Sequence, residues 1–219
     1  MTIAHHPSDD TLLALASGAL KEGPSLVVGA HLSFCGECRR RVVEYEALGG
    51  AVMSEAALLP VSATTRSNVM LRLGTQEHGP DRSARRRQSL PEMPAGTLVP
   101  DSLLAYGAKP WRSIAPGLKV SFLGGSRNKE ESLLLLQAAP GAVMPSHGHN
   151  ATEYTCVLGG SFIEGDVRYG PGDLAQAERD HDHGPKVDSA GPCVCLIAID
   201  GRLRFHGLIG RLLQPFIGI

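Results

Sequence analysis

The spacing of apolar residues divides the chain into two parts with different periods. From residue 8 to about residue 73, apolar residues recur every three or four positions, which places them on one side of an α-helix. From about residue 111, the apolar runs are short or alternate with polar residues, as is typical of β-strands. The chain is therefore expected to combine a helical N-terminal part with a β-rich C-terminal part.

The helical part carries signals for four helices. Ser8 is the expected N-cap of the first helix, because acidic residues follow it in the first turn. Gly23-Pro24-Ser25 is expected to open a second helix that continues through residues 31–38. A third helix is predicted from about residue 42 to residue 52, and Pro60 precedes a fourth.

The C-terminal part shows short strand-like runs separated by turns rich in glycine and proline. These runs cover residues 111–123, 132–138, 152–158, 161–163, 173–177, 193–199 and 203–205. Many short strands at this spacing favour a β-sandwich or barrel. The predicted fold is α+β, with a helical bundle at residues 1–75 and a β-barrel at residues 101–219.

Residues 76–100 are predicted to be a flexible linker between these two domains. The segment is rich in proline, which interrupts any helix, and its arginines lack flanking aromatic residues. A solvated tether is therefore favoured over a nucleic-acid patch.

Composition narrows the class of protein. The net charge of -1 provides no basic field that would attract nucleic acid. No segment approaches the roughly 20 apolar residues that span a bilayer, and the N-terminus lacks the pattern of a secretory signal. The five cysteines include a C-x-x-C and a C-x-C pair, which in a cytoplasmic protein favour metal binding or redox chemistry over disulfides.

The first candidate metal site is the run His31-x3-Cys35-x2-Cys38, with His6 upstream and His5 beside it. On one helix the three residues from 31 to 38 would share a face. Two thiolates and two imidazoles can close a tetrahedral zinc site of the structural kind.

The second candidate metal site lies in the β part. His147 and His149 alternate with a glycine, so on an extended segment both point the same way, and Glu153 on the next strand can turn toward them. A turn at residues 170–173 is followed by His181 and His183, either of which can complete the set. Three imidazoles and one carboxylate suit zinc, iron, manganese or nickel and leave positions open.

Three cysteines belong to the predicted strands. Cys193 and Cys195 are about 6.6 Å apart along an extended chain, near the upper limit for a disulfide, and face the same way. They are either packed small side chains or thiols that face the barrel metal. Cys156 has the opposite parity to Glu153 and is expected to point out of the barrel.

The spacing G-x5-H-x-H-x3-E-x6-G from Gly141 to Gly160, followed by a Pro-Gly turn and a later histidine, resembles the cupin pattern. By its position after Gly172, His183 is the favoured fourth ligand. Together with the N-terminal His-His and the His-Leu-Ser-x-Cys-x-Glu-Cys-Arg run, the whole chain resembles the ChrR-type zinc-binding anti-sigma factors.

The resemblance implies a cytoplasmic protein that is not an enzyme. The helical domain would sequester an extracytoplasmic-function sigma factor, and the cupin domain would release it on singlet oxygen or organic hydroperoxide. It also implies two zinc ions per chain, although the cupin metal could be another divalent ion. The implied ligands are His6, His31, Cys35 and Cys38 for the first zinc and His147, His149, Glu153 and His183 for the second.

Two other functions are weighed against this one. A cupin dioxygenase or isomerase with a zinc-stabilised helical appendage would use the open metal positions, but it leaves the N-terminal part unexplained. A thiol oxidoreductase would use Cys35 and Cys38, but the histidine four residues earlier favours metal ligation.

Overall fold

The computed structural model of the chain describes residues 2–62, 64–75, 89–123, 131–144, 147–149, 152–178, 184–200 and 203–205. In these residues, helices come first and strands follow, in the order that the two periods predicted. The helices are α1 (Asp9–Ala16), α2 (Glu22–Phe34), α3 (Gly36–Glu55), α4 (Thr65–Thr75) and the short α5 (Asp101–Leu104). None of the described helices is both long enough and apolar enough to cross a membrane.

The helix ends follow local chemistry. Ser8 caps α1 as predicted, because its side chain accepts a hydrogen bond from the Thr11 backbone N–H. The prediction of one helix through residues 31–38 is wrong, since α2 ends at Phe34 and α3 begins at Gly36. Cys35 lies between them with extended backbone (φ -99°, ψ 105°), and its sulfur accepts from the Cys38 N–H as the N-cap of α3.

Within the described part of the chain, the strands pair in three sheets. They are β1 (Arg112–Ala115), β2 (Leu118–Phe122), β3 (Glu131–Ala138), β4 (His147–His149), β5 (Glu153–Gly159), β6 (Phe162–Glu164), β7 (Val167–Tyr169), β8 (Leu174–Ala177), β9 (Lys186–Val187), β10 (Cys193–Asp200) and β11 (Leu203–Phe205). The largest sheet has the order β1-β2-β3-β10-β5-β8, and the others are β7-β6-β9 and β11-β4. All the ladders are antiparallel.

The two faces of the large sheet bury different cores, because side chains alternate along each strand. On β10, Cys193, Cys195 and Ile197 point into a core that also contains Phe162 of β6 and Val187 of β9. The small sheet β7-β6-β9 therefore packs on this inner face. The β-rich, cupin-like domain that the sequence predicted is therefore present, and the described strands form facing sheets without a closed barrel.

The opposite face of the large sheet packs against the helices. Leu196 of β10 and Leu158 of β5 share a core with Leu26 and Val28 of α2. All four of these side chains are buried. The helical and β parts are therefore in direct contact through α2.

The second half of the predicted linker also packs on the β part. The Leu98 N–H donates to the Leu158 carbonyl, and the Trp111 indole N–H donates to the Glu92 carbonyl. Leu90 and Met93 pack against the core that α2 shares with the sheet. The prolines exclude a helix here but permit an extended, packed segment, so residues 89–100 differ from the flexible tether that was expected. Residues 76–88 lie outside the described residues.

Candidate metal centre

Four potential ligands from four parts of the helical region converge on one point. They are His6 from the segment before α1, His31 from the last turn of α2, Cys35 from the junction, and Cys38 from the first turn of α3. One ligand atom from each lies within 4.8 Å of the others. The interruption between α2 and α3 does not separate the ligands. Cys38 in α3 still lies near His31 in α2.

Distances within the cluster suit a tetrahedral ion. The His6 Nδ1 atom is 3.4 Å from the Cys35 sulfur and 3.3 Å from the Cys38 sulfur. A regular zinc tetrahedron with ordinary bond lengths has a nitrogen-to-sulfur edge of about 3.6 Å. The two distances that join His6 to the cysteine sulfurs are therefore close to those of a zinc site.

His31 supplies an independent indication of a ligand. Its side chain is completely buried, and its Nδ1 atom is 2.7 Å from the Gly172 carbonyl oxygen. Its Nε2 atom is buried without a hydrogen-bond partner among the described residues. A buried nitrogen lone pair costs free energy unless it is matched, and a bound cation would match it.

Without a cation, burial favours the neutral forms of Cys38 and His31. Burial, together with the neighbouring Cys35 thiol, raises the pKa of Cys38 to about 12. Burial lowers the pKa of His31, which keeps that imidazole neutral. A coordinated divalent cation would deprotonate the thiols, so metal binding would replace buried thiols by paired thiolates.

The structure separates the two adjacent N-terminal histidines. His6 reaches the cysteine sulfurs, whereas the His5 ring lies against the Tyr169 ring, with the ring centroids 4.5 Å apart. Successive residues of an extended segment point in opposite directions, which explains the difference. Of the pair, His6 is therefore the residue placed to bind a metal.

The second predicted ligand set is only partly described. His147 and His149 lie on β4, which pairs with β11, so the expected extended backbone is present. Glu153 begins β5, is buried, and accepts a hydrogen bond from the Thr155 hydroxyl at 3.0 Å. The side chains of the two β4 histidines, together with all of His181 and His183, lie outside the described residues. This ligand set remains a prediction.

The remaining cysteines occupy the two faces of the large sheet. Cys193 and Cys195 face the inner core, with their sulfurs 3.6 Å apart as free thiols. The hydrogen bond with Cys193 and burial raise the pKa of Cys195. Cys156 faces the helices, as its parity relative to Glu153 predicted, and burial raises its pKa to about 12.

Two residues next to the cluster were missed by the sequence analysis. Gly172 and Asp173, in the turn before β8, contact the segment and the helix that carry His6 and His31. The sequence of this turn indicated a reversal of the chain. No periodicity in it indicated which distant segment the turn would contact.

A second feature of the helical part is an uncovered apolar surface, here called the apolar face. It runs along α3 and α4 and the segment between them. Its exposed side chains are Val43, Leu48, Val52, Met53, Leu58, Leu59, Val61, Val69, Met70, Leu71 and Leu73. Val42 and Tyr45 begin the same stripe on α3 but pack against the shared core. Exposed large apolar side chains in this number indicate an interaction site.

Comparison with known proteins identifies relatives over the full length of the chain. A family model for the ChrR cupin-like domain matches residues 100–200. The anti-sigma-E factor ChrR of Cereibacter sphaeroides is 38% identical over 221 residues, covering 100% of both chains.

Solved structures agree with this result. A structure of Rhodobacter sphaeroides SigE in complex with the anti-sigma ChrR matches with a TM-score of 0.70 and 33% identity, covering 91% of this chain and 100% of that one. An RmlC-like cupin protein of Ralstonia eutropha matches 46% of this chain and 69% of its own, with a TM-score of 0.40 and 23% identity.

Proposed function

The chain belongs to the ChrR family, and from that premise we propose that it is an anti-sigma factor that sequesters an extracytoplasmic-function sigma factor in the cytoplasm. The relative of known structure is in complex with SigE, and this chain covers that relative completely. A regulatory role also uses both parts of the chain, which a cupin enzyme with a helical appendage would not.

The apolar face is the observation that carries the proposal. Val52 on α3 and Leu71 on α4 are 66% and 65% exposed, although both belong to amphipathic helices that normally bury such residues. Short helices without packed partners are marginal in water. A helical partner such as a sigma factor would cover these side chains and hold α4 in place.

Zinc bound by His6, His31, Cys35 and Cys38 would supply a rigid base for this surface. When bound, the metal supplies four bonds that hold residues distant in sequence at fixed separations. Within the chain, Cys35 ends α2 and caps α3, so the angle between these helices depends on the position of its sulfur. We propose that this angle determines whether α3 presents its apolar residues to the sigma factor.

The direct test of sequestration is transcription in vitro from a sigma-dependent promoter. Stoichiometric addition of the zinc-loaded chain should abolish the transcript, and extra sigma factor should restore it. A control promoter read by the housekeeping sigma factor should be unaffected. If the loaded chain leaves transcription by every extracytoplasmic-function sigma factor of the host unchanged, the proposal is wrong.

We further propose that the cupin-like domain holds a second metal and releases the sigma factor in response to singlet oxygen or organic hydroperoxide. The supporting observations are the extended backbone of β4, which would direct His147 and His149 to one side, and the buried carboxylate of Glu153. His183 is the proposed fourth ligand. An open metal site can exchange a ligand when an oxidant arrives, whereas a closed one serves structure.

Oxidant release predicts a separation of two phenotypes. His147→Ala and Glu153→Ala should still inhibit a sigma-dependent reporter in cells but should lose its induction by singlet oxygen. Cys193→Ser and Cys195→Ser, which change packed thiols, should have weaker effects. Full induction in the two ligand variants would exclude the cupin site as the sensor. Cys35 and Cys38 of the helical site would then be the candidate sensors.

A further inference from the structure

The turn Gly170-Pro171-Gly172-Asp173 of the β part contacts the N-terminal metal cluster directly. We propose that this turn, hereafter the cupin turn, positions His6 and His31 and thereby sets the metal affinity of the helical site. The inference rests on the proposed zinc site of the helical part and not on sigma-factor binding. Three contacts support it.

The first contact fixes the tautomer of His31. A carbonyl oxygen can only accept a hydrogen bond, so the 2.7 Å contact between His31 Nδ1 and the Gly172 oxygen places the proton on Nδ1. The lone pair is then on Nε2, the buried nitrogen that lacks a hydrogen-bond partner among the described residues. Metal-binding histidines commonly donate their other N–H to a carbonyl in this manner. Here, that carbonyl belongs to the β part.

The second contact holds the backbone that leads into His6. Asp173 is buried, and its Oδ1 atom accepts hydrogen bonds from the backbone N–H groups of Ala4 and His5 at 2.8 and 3.0 Å. The backbone N–H of Leu174 donates in turn to the His5 carbonyl at 3.1 Å. Residues 4 and 5 therefore lie along the free edge of β8, which ends the order of the large sheet. His6 follows with little freedom to move.

The third contact makes the cupin turn itself rigid. The other carboxylate oxygen of Asp173 accepts from the Gly170 N–H at 2.8 Å, and the Gly172 N–H donates to the Val157 carbonyl at 2.8 Å. Gly172 has φ 87°, a conformation that a side chain would disfavour. The turn is thereby anchored to β5, the strand that begins with Glu153. Two ligands of the helical site are thus held from a sheet that also carries a predicted ligand of the second site.

Loss of these outer contacts should weaken metal binding without removing a ligand. Removing an outer-shell partner of a metal ligand typically costs about 10- to 100-fold in affinity. Asp173→Ala deletes the acceptor for two N–H groups near His6, so an effect of that size is expected. Asp173→Asn keeps the side-chain volume and one oxygen, and it should give a smaller loss in the same direction.

The measurement uses the full-length chain and cobalt(II) as a probe. Cobalt bound by thiolates gives a charge-transfer band that reports on a site with cysteine ligands, and Cys35→Ser should remove it. Titration of zinc into the cobalt-loaded protein then yields the zinc affinity of that site. Asp188→Ala is the matched control, because Asp188 lies in the β part, pairs with Arg168 and does not touch the metal cluster.

The outcomes are distinct. A loss of tenfold or more in Asp173→Ala, with Asp188→Ala within about twofold of the parent, supports the proposal. Unchanged affinity in the Asp173 variants, or an equal loss in the control, overturns it. If Asp173→Ala does not fold, Asp173→Asn decides between these results. Absence of the cobalt band in the parent would instead refute the proposed helical metal site.

Discussion

Replacing two side chains of the apolar face should abolish most of the affinity for the sigma factor while leaving the fold intact. The proposed variant is Val52→Gln combined with Leu71→Gln, which changes one residue on each of the exposed helices. Glutamine forms helices at least as readily as valine, so α3 and α4 lose no intrinsic helix propensity at position 52 and little at position 71. Because both sites are exposed, the free energy of unfolding should change by less than about 0.5 kcal/mol.

The expected loss of affinity follows from the exposed area. Burying a whole valine or leucine side chain contributes about 1.5–3 kcal/mol. Val52 and Leu71 are 66% and 65% exposed, so a partner that covers both can gain about two thirds of that amount from each. The double variant should therefore lose about 2–4 kcal/mol of binding free energy, which corresponds to a roughly 30- to 700-fold weaker complex.

The assay is isothermal titration calorimetry with the purified sigma factor and the zinc-loaded chain. Val143→Gln is the matched control, because Val143 is 62% exposed but lies in the β part, away from α3 and α4. It should bind like the parent. Binding by the double variant within about threefold of the parent, with circular dichroism unchanged, would refute the assignment of the apolar face to the sigma factor.

Further predictions concern the thiols and the shared core. Replacing Cys35 and Cys38 by serine should remove one metal ion per chain, measured by plasma mass spectrometry, while the β-sheet circular dichroism persists; unchanged metal content would contradict the helical site. Cys156, with a pKa raised to about 12, should resist a disulfide reagent at pH 8 in the native chain and react fully in denaturant. Leu196→Ala should lower the free energy of unfolding by about 2–5 kcal/mol in urea titrations, because this buried residue of β10 packs against α2. The exposed Leu73→Ala serves as its control and should change it by less than about 0.5 kcal/mol.

Local chemistry made the elements and the first ligand set predictable. Ser8 and the acidic residues after it predicted α1, and the short apolar run at residues 193–199 predicted β10. The C-x-x-C spacing also brought Cys35 and Cys38 together, although the helix assumed to carry them is interrupted. The interruption was missed because a cysteine sulfur acting as an N-cap does not belong to the usual capping residues.

Contacts between distant segments were less accessible to sequence reasoning. The carbonyl of Gly172 carries no side-chain signature, so its role beside His31 follows only from the three-dimensional arrangement. The same holds for Asp173, whose place in a Gly-Pro-Gly-Asp turn suggested a local function. Hydrogen bonds between backbone groups that are distant in the sequence produce no periodic pattern of residue types.

One sequence signal for the contact between the two parts was nevertheless present in α2. Leu26, Val27 and Val28 are consecutive and all buried, so they point around more than half of the helix circumference. A helix that is apolar on nearly all sides must be covered on nearly all sides. α1 and α3 cover one side of α2, and β5 and β10 cover another. His31 lies in the last turn of this buried helix, which explains how a ligand of the helical metal site can also contact the cupin turn. The apolar sequence of α2 therefore predicts that this helix is buried between the two parts. That burial brings His31 next to the cupin turn, which we propose positions it.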